Sequence, residues 1–443
     1  MNTYIEPRIL KGFRDFLPAA EISRRNLLEK IENSFRSYGF LPIDTPALEY
    51  AEILLGKGGG ETEKQIYRFK DNGGRDVALR FDLTVPFARF LAEHRSELTL
   101  PFKRYHIAKV WRGENTQRGR YREFTQCDFD TVGSDSAACD FEILHIMRNT
   151  LHAIAGGDII IRLNHRGLFN RFLARLGVEA HSVEILRGVD KLGKIGRDET
   201  LKLLSENVDS GKAKEILDFV EIKGNGSPSE SFEETLAAMT AAAGEGPESE
   251  RLGLIRRFML DAGIQDSFIL DPSITRGLDY YTGVVFESFL ADLSEIGSVC
   301  SGGRYDNLVG LYSSDKRSAE NLRGVGASIG IDRLIAGLEA LGRMKTELST
   351  ASAAIACVSE TAGGAYQALA DKLREAGIFC EVFLEEQKLS KQYQQAEKKG
   401  VRWLIIAEGG NALDGVLTLR DLEKRENLGG LKPEDIVRII KNH

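Results

Sequence analysis

Residues 103–112 and 120–130 read as two extended segments joined by a short polar loop that contains Gly113 and Gly119. This hairpin constrains the fold more than any other stretch. Successive residues of a strand point to opposite faces. If even positions pair with even positions, Arg112, Arg122, Gln126, Asp128 and Asp130 share one face. That face carries an arginine near the loop and carboxylates deeper in, and Phe124, of the same parity, offers an aromatic surface to a base. The loop from Glu114 to Arg120 includes Gln117 and Arg118. It reads either as a contact for phosphates or RNA, or as an ordinary charged hairpin tip.

Other polar segments lie far from it in sequence. Arg276 to Gly283 packs a guanidinium, a carboxylate and the phenols of Tyr280 and Tyr281 between glycines, a composition suited to a small polar molecule beside an anion. In a strand over 77–84, Arg80, Asp82 and Thr84 would point together, toward solvent or into a polar pocket. Residues 300–306 read as a tight glycine turn presenting Arg304 and Tyr305. The glycines of 324–330 leave room for a flat ligand, with Arg333 in the first turn of the following helix. This is not GxGxxG, and Gly56 to Gly60 lacks the Walker spacing, so the latter reads as a mobile loop suited to a lid. Together these segments can build a site for an anionic nucleotide and a second, hydrogen-bonding substrate.

With 443 residues, the chain exceeds one typical core, and two or three domains are expected. Residues through about 162 read as α/β, with a helix from Glu21 to Ser37 that stops at Tyr38-Gly39 and an extended, proline-punctuated stretch from Phe40 to Glu49. Residues 167–265 turn rich in Ala, Glu, Lys and Leu and read as a helical insertion. After residue 350, strands at 353–358, 380–384, 403–407 and 416–419 alternate with helices at 365–376, 388–399 and 433–441. That order gives a small α/β domain with a partly parallel sheet.

The bulk numbers exclude little more. The formal net charge of −7 gives no support to a generic nucleic-acid binder, yet local basic patches can hold RNA on an acidic body. Five scattered cysteines form no CxxC pair, so neither a disulfide framework nor a zinc site is indicated, and a reducing cytoplasm fits. No apolar run is long enough for a bilayer, and no signal peptide is evident. His106 and His165 read as structural.

In order along the chain, Thr45-Pro46, the arginine-bearing hairpin and the glycine strand ending in Asp332-Arg333 resemble motifs one, two and three of class II aminoacyl-tRNA synthetases. Within that class, Arg276–Gly283 and Ser301–Asp306 look like the two signature peptides of the histidyl-tRNA synthetases, and residues 79–84 and 119–130 match the same family. The resemblance covers nearly the whole chain. It implies an α+β core, an antiparallel sheet flanked by helices, over 1–345 with the insertion inside it, and an α/β anticodon-binding domain over 351–443. The implied partners are ATP with Mg2+, L-histidine, tRNA(His) and a second copy of the chain.

The resemblance also implies residue roles. Arg112 and Arg276 would flank the α-phosphate during catalysis, Phe124 and Arg333 would sandwich the adenine, and Glu114 would lie near its edge. Asp82, Thr84 and Gln126 would hold the histidine ammonium. Asp130 would accept from the imidazole and Tyr281 donate to it, with Tyr280 beside them and Tyr305 closing the pocket. Such a donor–acceptor pair can discriminate by about 10⁴. Gln117, Arg118 and Arg120 would meet the tRNA acceptor end, and Gly59–Glu63 resembles the loop that covers the amino acid. Many bacterial members carry Glu where this chain has Asp82 and Asp130, so backbone or water must make up the reach; the pattern looks more like the eukaryotic and archaeal branch. Lys388, Lys391, Lys398 and Lys399 mark either a basic RNA-facing helix or a solvated one. The rival reading is a non-catalytic, histidine-binding regulatory paralogue of an ATP phosphoribosyltransferase.

Overall fold

The computed structural model describes residues 4–56, 61–225, 227, 230–275, 280–313, 322–407 and 416–442. The chain divides into two compact units, one of Met1–Arg14 and Leu28–Met344, the other of Asp15–Leu27 and Lys345–His443. In chain order the first unit carries strands β1 (Leu41–Pro42), β2 (Leu48–Tyr50), β3 (Arg68–Lys70), β4 (Asp76–Leu79), β5 (Phe102–Trp111), β6 (Glu123–Val132), β7 (Ile159–His165), β8 (Phe268–Leu270), β9 (Val284–Leu290), β10 (Cys300–Tyr305) and β11 (Gly324–Gly330).

Eight of these form one sheet in the order β1-β5-β6-β11-β10-β9-β7-β8. Its centre is antiparallel, with a parallel strand at each edge. The register of β5 and β6 pairs Arg104 with Asp130, His106 with Asp128 and Ala108 with Gln126, so even positions do face even ones. The odd positions of β6 go to the core: Phe129 lies 4.7 Å from the ring of Phe35, which belongs to the helix Pro18–Ser37. The helix Ala137–Ala155 packs against β6, β7, β10 and β11. Its Ile143, Leu144, Met147 and Leu151 are fully buried at helical spacing, Ser136 caps its start and Gly156, at φ 60°, ends it.

The chain leaves the sheet at β7 and returns beside it at β8. Between them lie helices Arg166–Leu176, Ser182–Val189, Leu192–Ile195, Arg197–Ser205, Ser210–Val220, Ser231–Ala243 and Pro247–Asp261. Two buried groups mark this junction. Asn164, 1% exposed, donates to the carbonyls of Pro272 and Ile274 and so fixes the segment that follows β8. His165 accepts from Gly167 N at 3.1 Å as the cap of its helix.

Burial is the largest influence on His165 and lowers its pKa from 6.5 to about 4, with Arg251 and Arg304 adding to the effect. The unfolded chain therefore takes up the proton first as pH falls. The stability that neutral His165 contributes is complete above pH 6.5 and is lost toward pH 4, about 3 kcal/mol at full extent. Urea titrations across that window should show a shallower acid loss in His165→Asn than in the parent. Superimposable pH profiles would refute the assignment.

The second unit holds strands β12 (Ala353–Ile355), β13 (Cys380–Val382), β14 (Trp403–Ala407), β15 (Leu417–Asp421) and β16 (Glu426–Leu431), in the order β13-β12-β14-β15-β16. The β12, β13 and β14 pairs are parallel and the rest antiparallel. Helices Gly363–Glu375, Leu389–Lys399 and Pro433–Lys441 supply Leu369, Leu373, Ala396 and Ile436 to its core. Gln392, 1% exposed, donates to the carbonyls of Cys357 and Gln387 and accepts from Cys357 N, which pins the lysine-bearing helix in place. Lys399 pairs with Glu381 at 2.5 Å, so it belongs to that local packing.

Candidate active site

A cavity of about 280 Å³ lies over the centre of the large sheet. Gln126 and Asp128 from β6, Glu287 from β9, Ser301 and Gly302 from β10, and Ser328 from β11 line it. Alternation along β6 explains the polar floor: the face turned away from Phe129 carries Phe124, Gln126 and Asp128.

Among the lining residues, Arg112 donates from Nε to the carbonyl of Phe81 at 3.1 Å. Its guanidinium stands 4.4 Å from the Phe81 ring and 5.2 Å from the Phe124 ring. Two rings and a carbonyl thus hold it in place before any ligand arrives. Arg333 starts from the first turn of the helix Ile331–Ala340 and donates to the carbonyl of Ser298 at 2.6 Å. Its neighbour Asp332, 4% exposed, accepts from Thr125 N on β6 at 2.8 Å and pairs with Arg14. The β5–β6 loop closes over this helix: a Cβ on Gly119 would come within 3.2 Å of Arg333 Cα. Glu114 and Arg120 pair at 3.4 Å and both line the cavity, whereas Gln117 and Arg118 are exposed at the loop tip.

Asp82, Thr84, Tyr280 and Tyr281 line the same cavity. The expected strand over 77–84 stops at Leu79, and the helix Thr84–Glu93 begins at Thr84. Asp82 accepts from Val85 N at 2.9 Å at that helix start, which turns its carboxyl away from a strand's alternation. Arg80 is therefore not its neighbour in function. It donates to the carbonyls of Lys109 and Thr45 and lies outside the cavity. Burial raises the Asp82 pKa, opposed by Arg112 and Arg104. Burial likewise raises the phenols of Tyr280 and Tyr281, reinforced by the nearby carboxyls, so both remain protonated donors.

The glycine-rich stretch at 300–305 is the strand β10, not a turn. Gly302 is required there because a Cβ would press on the Phe286 ring at 2.6 Å and on the Gly326 carbonyl. Tyr305 ends this strand, 1% exposed, beneath the cavity rather than across its mouth. Its hydroxyl donates to Asp130 Oδ1 at 2.6 Å, and Asp130 also pairs with Arg104 at 2.7 Å. Arg104 is fully buried on the Phe87 ring at 4.2 Å. Asp130 is thus tied into a buried triad, and of these two carboxyls it is Asp128 that lines the cavity. Arg122, of the same parity, leaves the site to meet the carbonyls of Glu114 and Lys11.

Gly326 makes the triad possible, because a Cβ there would overlap the Asp130 carboxylate. Gly326→Ala is expected to displace that carboxylate and cost about 1–3 kcal/mol of stability. A urea midpoint unchanged from the parent would show that the strand absorbs the methyl without moving Asp130.

Sequence reasoning missed Arg104, Asp332 and Ser328 as site-building residues. Arg104 shares the even parity of β5 and could have been found that way; nothing in the sequence marks Ser328. Arg276 and residues 57–60 of the loop that starts at Gly56 lie outside the described residues, as do the side chains of Glu61 and Thr62.

A family model described as histidyl-tRNA synthetase matches residues 12–334, and one described as an anticodon binding domain matches 352–443. The histidine–tRNA ligase of Treponema denticola is 55% identical over 416 residues, covering 94% of this chain and 92% of that protein. The histidine–tRNA ligase of Rhodopirellula baltica is 46% identical over 431 residues, covering 96% and 95%. Among solved structures, the histidyl-tRNA synthetase from Nostoc matches with a TM-score of 0.83 and 32% identity, over 99% of this chain and 100% of that one. A Bacillus halodurans protein described as an ATP phosphoribosyltransferase regulatory subunit/histidyl-tRNA synthetase shares the fold, at a TM-score of 0.71 and 21% identity, over 89% of this chain and 96% of that one.

Proposed function

The chain belongs to the histidyl-tRNA synthetase family, and on that footing we propose that it is a histidine–tRNA ligase. It joins histidine to ATP, giving histidyl-adenylate and pyrophosphate, and then passes the histidyl group to the 3′ end of tRNA(His). The observation that carries this reading is one cavity lined by two chemically distinct sets of side chains. Arg112, Phe124 and Arg333, which line it, suit an anionic, planar nucleotide, and Asp82, Thr84, Gln126 and Tyr281, which also line it, suit an amino acid.

Activation brings a carboxylate onto the α-phosphate, so like charges meet. Fixed cations aimed at the developing charge are the main source of acceleration. Arg112 fills that role, with Arg276 as the second cation. The adenine lies between Phe124 and Arg333, and Glu114 sits at its edge. Asp82, Thr84 and Gln126 take the ammonium. Asp130, supported by Arg104 and Tyr305, and Tyr281 read the two imidazole nitrogens, with Tyr280 packed beside them.

Mg2+ brought with ATP would supply charge neutralisation at the phosphates. Glu114 and Glu287 line the same cavity and offer the oxygen ligands a hard cation prefers. Gln117, Arg118 and Arg120 meet the acceptor end of the tRNA. The core spans 1–345, with its helical insertion at about 167–265, and residues 351–443 bind the anticodon. The chain works as a homodimer. Exposed Leu41 on the edge strand β1, with Leu48 and Tyr50 nearby in sequence, supports an interface there. Five unpaired cysteines suit the reducing cytoplasm.

Histidine-dependent ATP–pyrophosphate exchange on purified protein tests the reading. Exchange that needs histidine, followed by charging of tRNA(His), is the expected result. Histidine binding without exchange would move the chain to the regulatory reading.

A further inference from the structure

We propose that Asp128 is a further residue of the amino-acid site, where its free Oδ1 accepts an N–H of the substrate ammonium and its charge balances that cation. The inference rests on the ligase reading above. Asp128 sits on β6 between Gln126 and Asp130, on the face that lines the cavity, and is 2% exposed. Among the described residues its Oδ1 has no hydrogen-bond partner, and neither has Oε1 of Gln126. The Gln126 amide donates instead to Ser328 Oγ at 2.9 Å, which leaves its oxygen as an acceptor. Buried acceptors without donors are costly and mark a place where a ligand supplies them. An ammonium brings three donors and no acceptor, which is what this set lacks.

Charge points the same way. Asp82, Asp128 and Asp130 lie near one another, and among the described residues Arg104 and Arg112 act on Asp82. Arg104 is committed to Asp130 at 2.7 Å and reaches Asp128 only at 4.0 Å. A substrate ammonium would add a cation to this cluster of carboxyls. Tyr280 feels both Asp82 and Asp128, so the two carboxyls stand around one phenol at the place where that cation would sit. Burial first, and then the neighbouring Asp130 and Asp82, push the Asp128 pKa up to about 7 against the pull of Arg104 and Ser328. A carboxyl in that state gains most from an arriving positive charge.

The test compares two probes by calorimetry on the full chain: histidinol, which keeps the ammonium, and imidazolepropionate, which lacks it. Asp128→Asn preserves the shape and removes the charge. Histidinol affinity should fall about 10- to 100-fold in this variant while imidazolepropionate changes less than about threefold. The histidine KM in pyrophosphate exchange should rise with the ATP KM unchanged. Asp128→Glu, which keeps the charge, should retain the preference for histidinol, and it carries the test should the asparagine chain fail to fold. Unchanged histidinol binding, or equal losses for both probes, would overturn the proposal. Absence of exchange in the parent chain would instead sink the ligase reading, and the calorimetric comparison would still decide the role of Asp128.

Discussion

Replacing Arg112 with alanine is expected to slow histidine-dependent pyrophosphate exchange by about 10²–10³-fold, equivalent to about 3–4 kcal/mol of transition-state stabilisation. The size of the effect follows from how the guanidinium is held. The Phe81 carbonyl fixes Nε at 3.1 Å, and the Phe81 and Phe124 rings flank the plane at 4.4 and 5.2 Å. A cation so placed needs no reorganisation when charge develops on the α-phosphate. The loss should appear mainly in kcat, because the phosphoryl charge grows on the way to the transition state. A smaller rise in the histidine KM should accompany it, since Arg112 also steadies the Asp82 carboxylate. Arg112→Lys restores a charge without the planar fork and should recover only part of the rate. Single-turnover adenylate formation in Arg112→Ala within tenfold of the parent would remove this residue from the chemistry.

Period and punctuation made much of the scaffold legible. The closing helix Pro433–Lys441 and the strand Trp403–Ala407 have the bounds expected from apolar spacing and from proline at the helix start. The strand β16 escaped notice because Glu426, Asn427, Gly429 and Gly430 leave no alternation to read; its residues are exposed or nearly so, and it exists as an edge partner of β15. Residues 80–84 went wrong for the opposite reason. Alternation was present, but Asp82 and Pro86 also form a helix start, and the local capping bond outcompeted extension of β4. The glycines of β10 read as a turn because a lone sequence cannot show that Phe286 and Gly326 crowd them from neighbouring strands.

The site was legible wherever one strand carried it. Parity on β6 put Phe124, Gln126 and Asp128 on a common face, and the cavity bears this out. Parity cannot rank depth, however. Asp128 and Asp130 are equivalent by alternation, yet the first lines the cavity while the second is taken by partners from β5 and β10. Those partners, Arg104 and Tyr305, lie 26 and 175 residues away in sequence and meet it only through strand order.

That depth difference sets up the second large effect, which falls on stability. Asp130→Ala should lower the unfolding free energy by about 3–5 kcal/mol, because Arg104 would remain fully buried with only the more distant Asp128, at 4.0 Å, to offset its charge. The Tyr305 hydroxyl, which donates to the same carboxylate at 2.6 Å, would lose its acceptor as well. Asp130→Asn keeps an acceptor for one of the two groups and should cost less. The decisive comparison is the double variant Asp130→Ala with Arg104→Met. Removing both charges takes away the uncompensated cation, so the pair should be less destabilised than Asp130→Ala alone, a departure from additivity of the kind contacting groups show. Equilibrium denaturation of the four chains measures it directly. Strictly additive losses would mean that Arg104 finds another partner and that Asp130 is not its structural counter-charge. Non-additive losses would establish that Asp130 is anchored from below by Arg104, a firm acceptor behind the cavity whose position the substrate does not have to set.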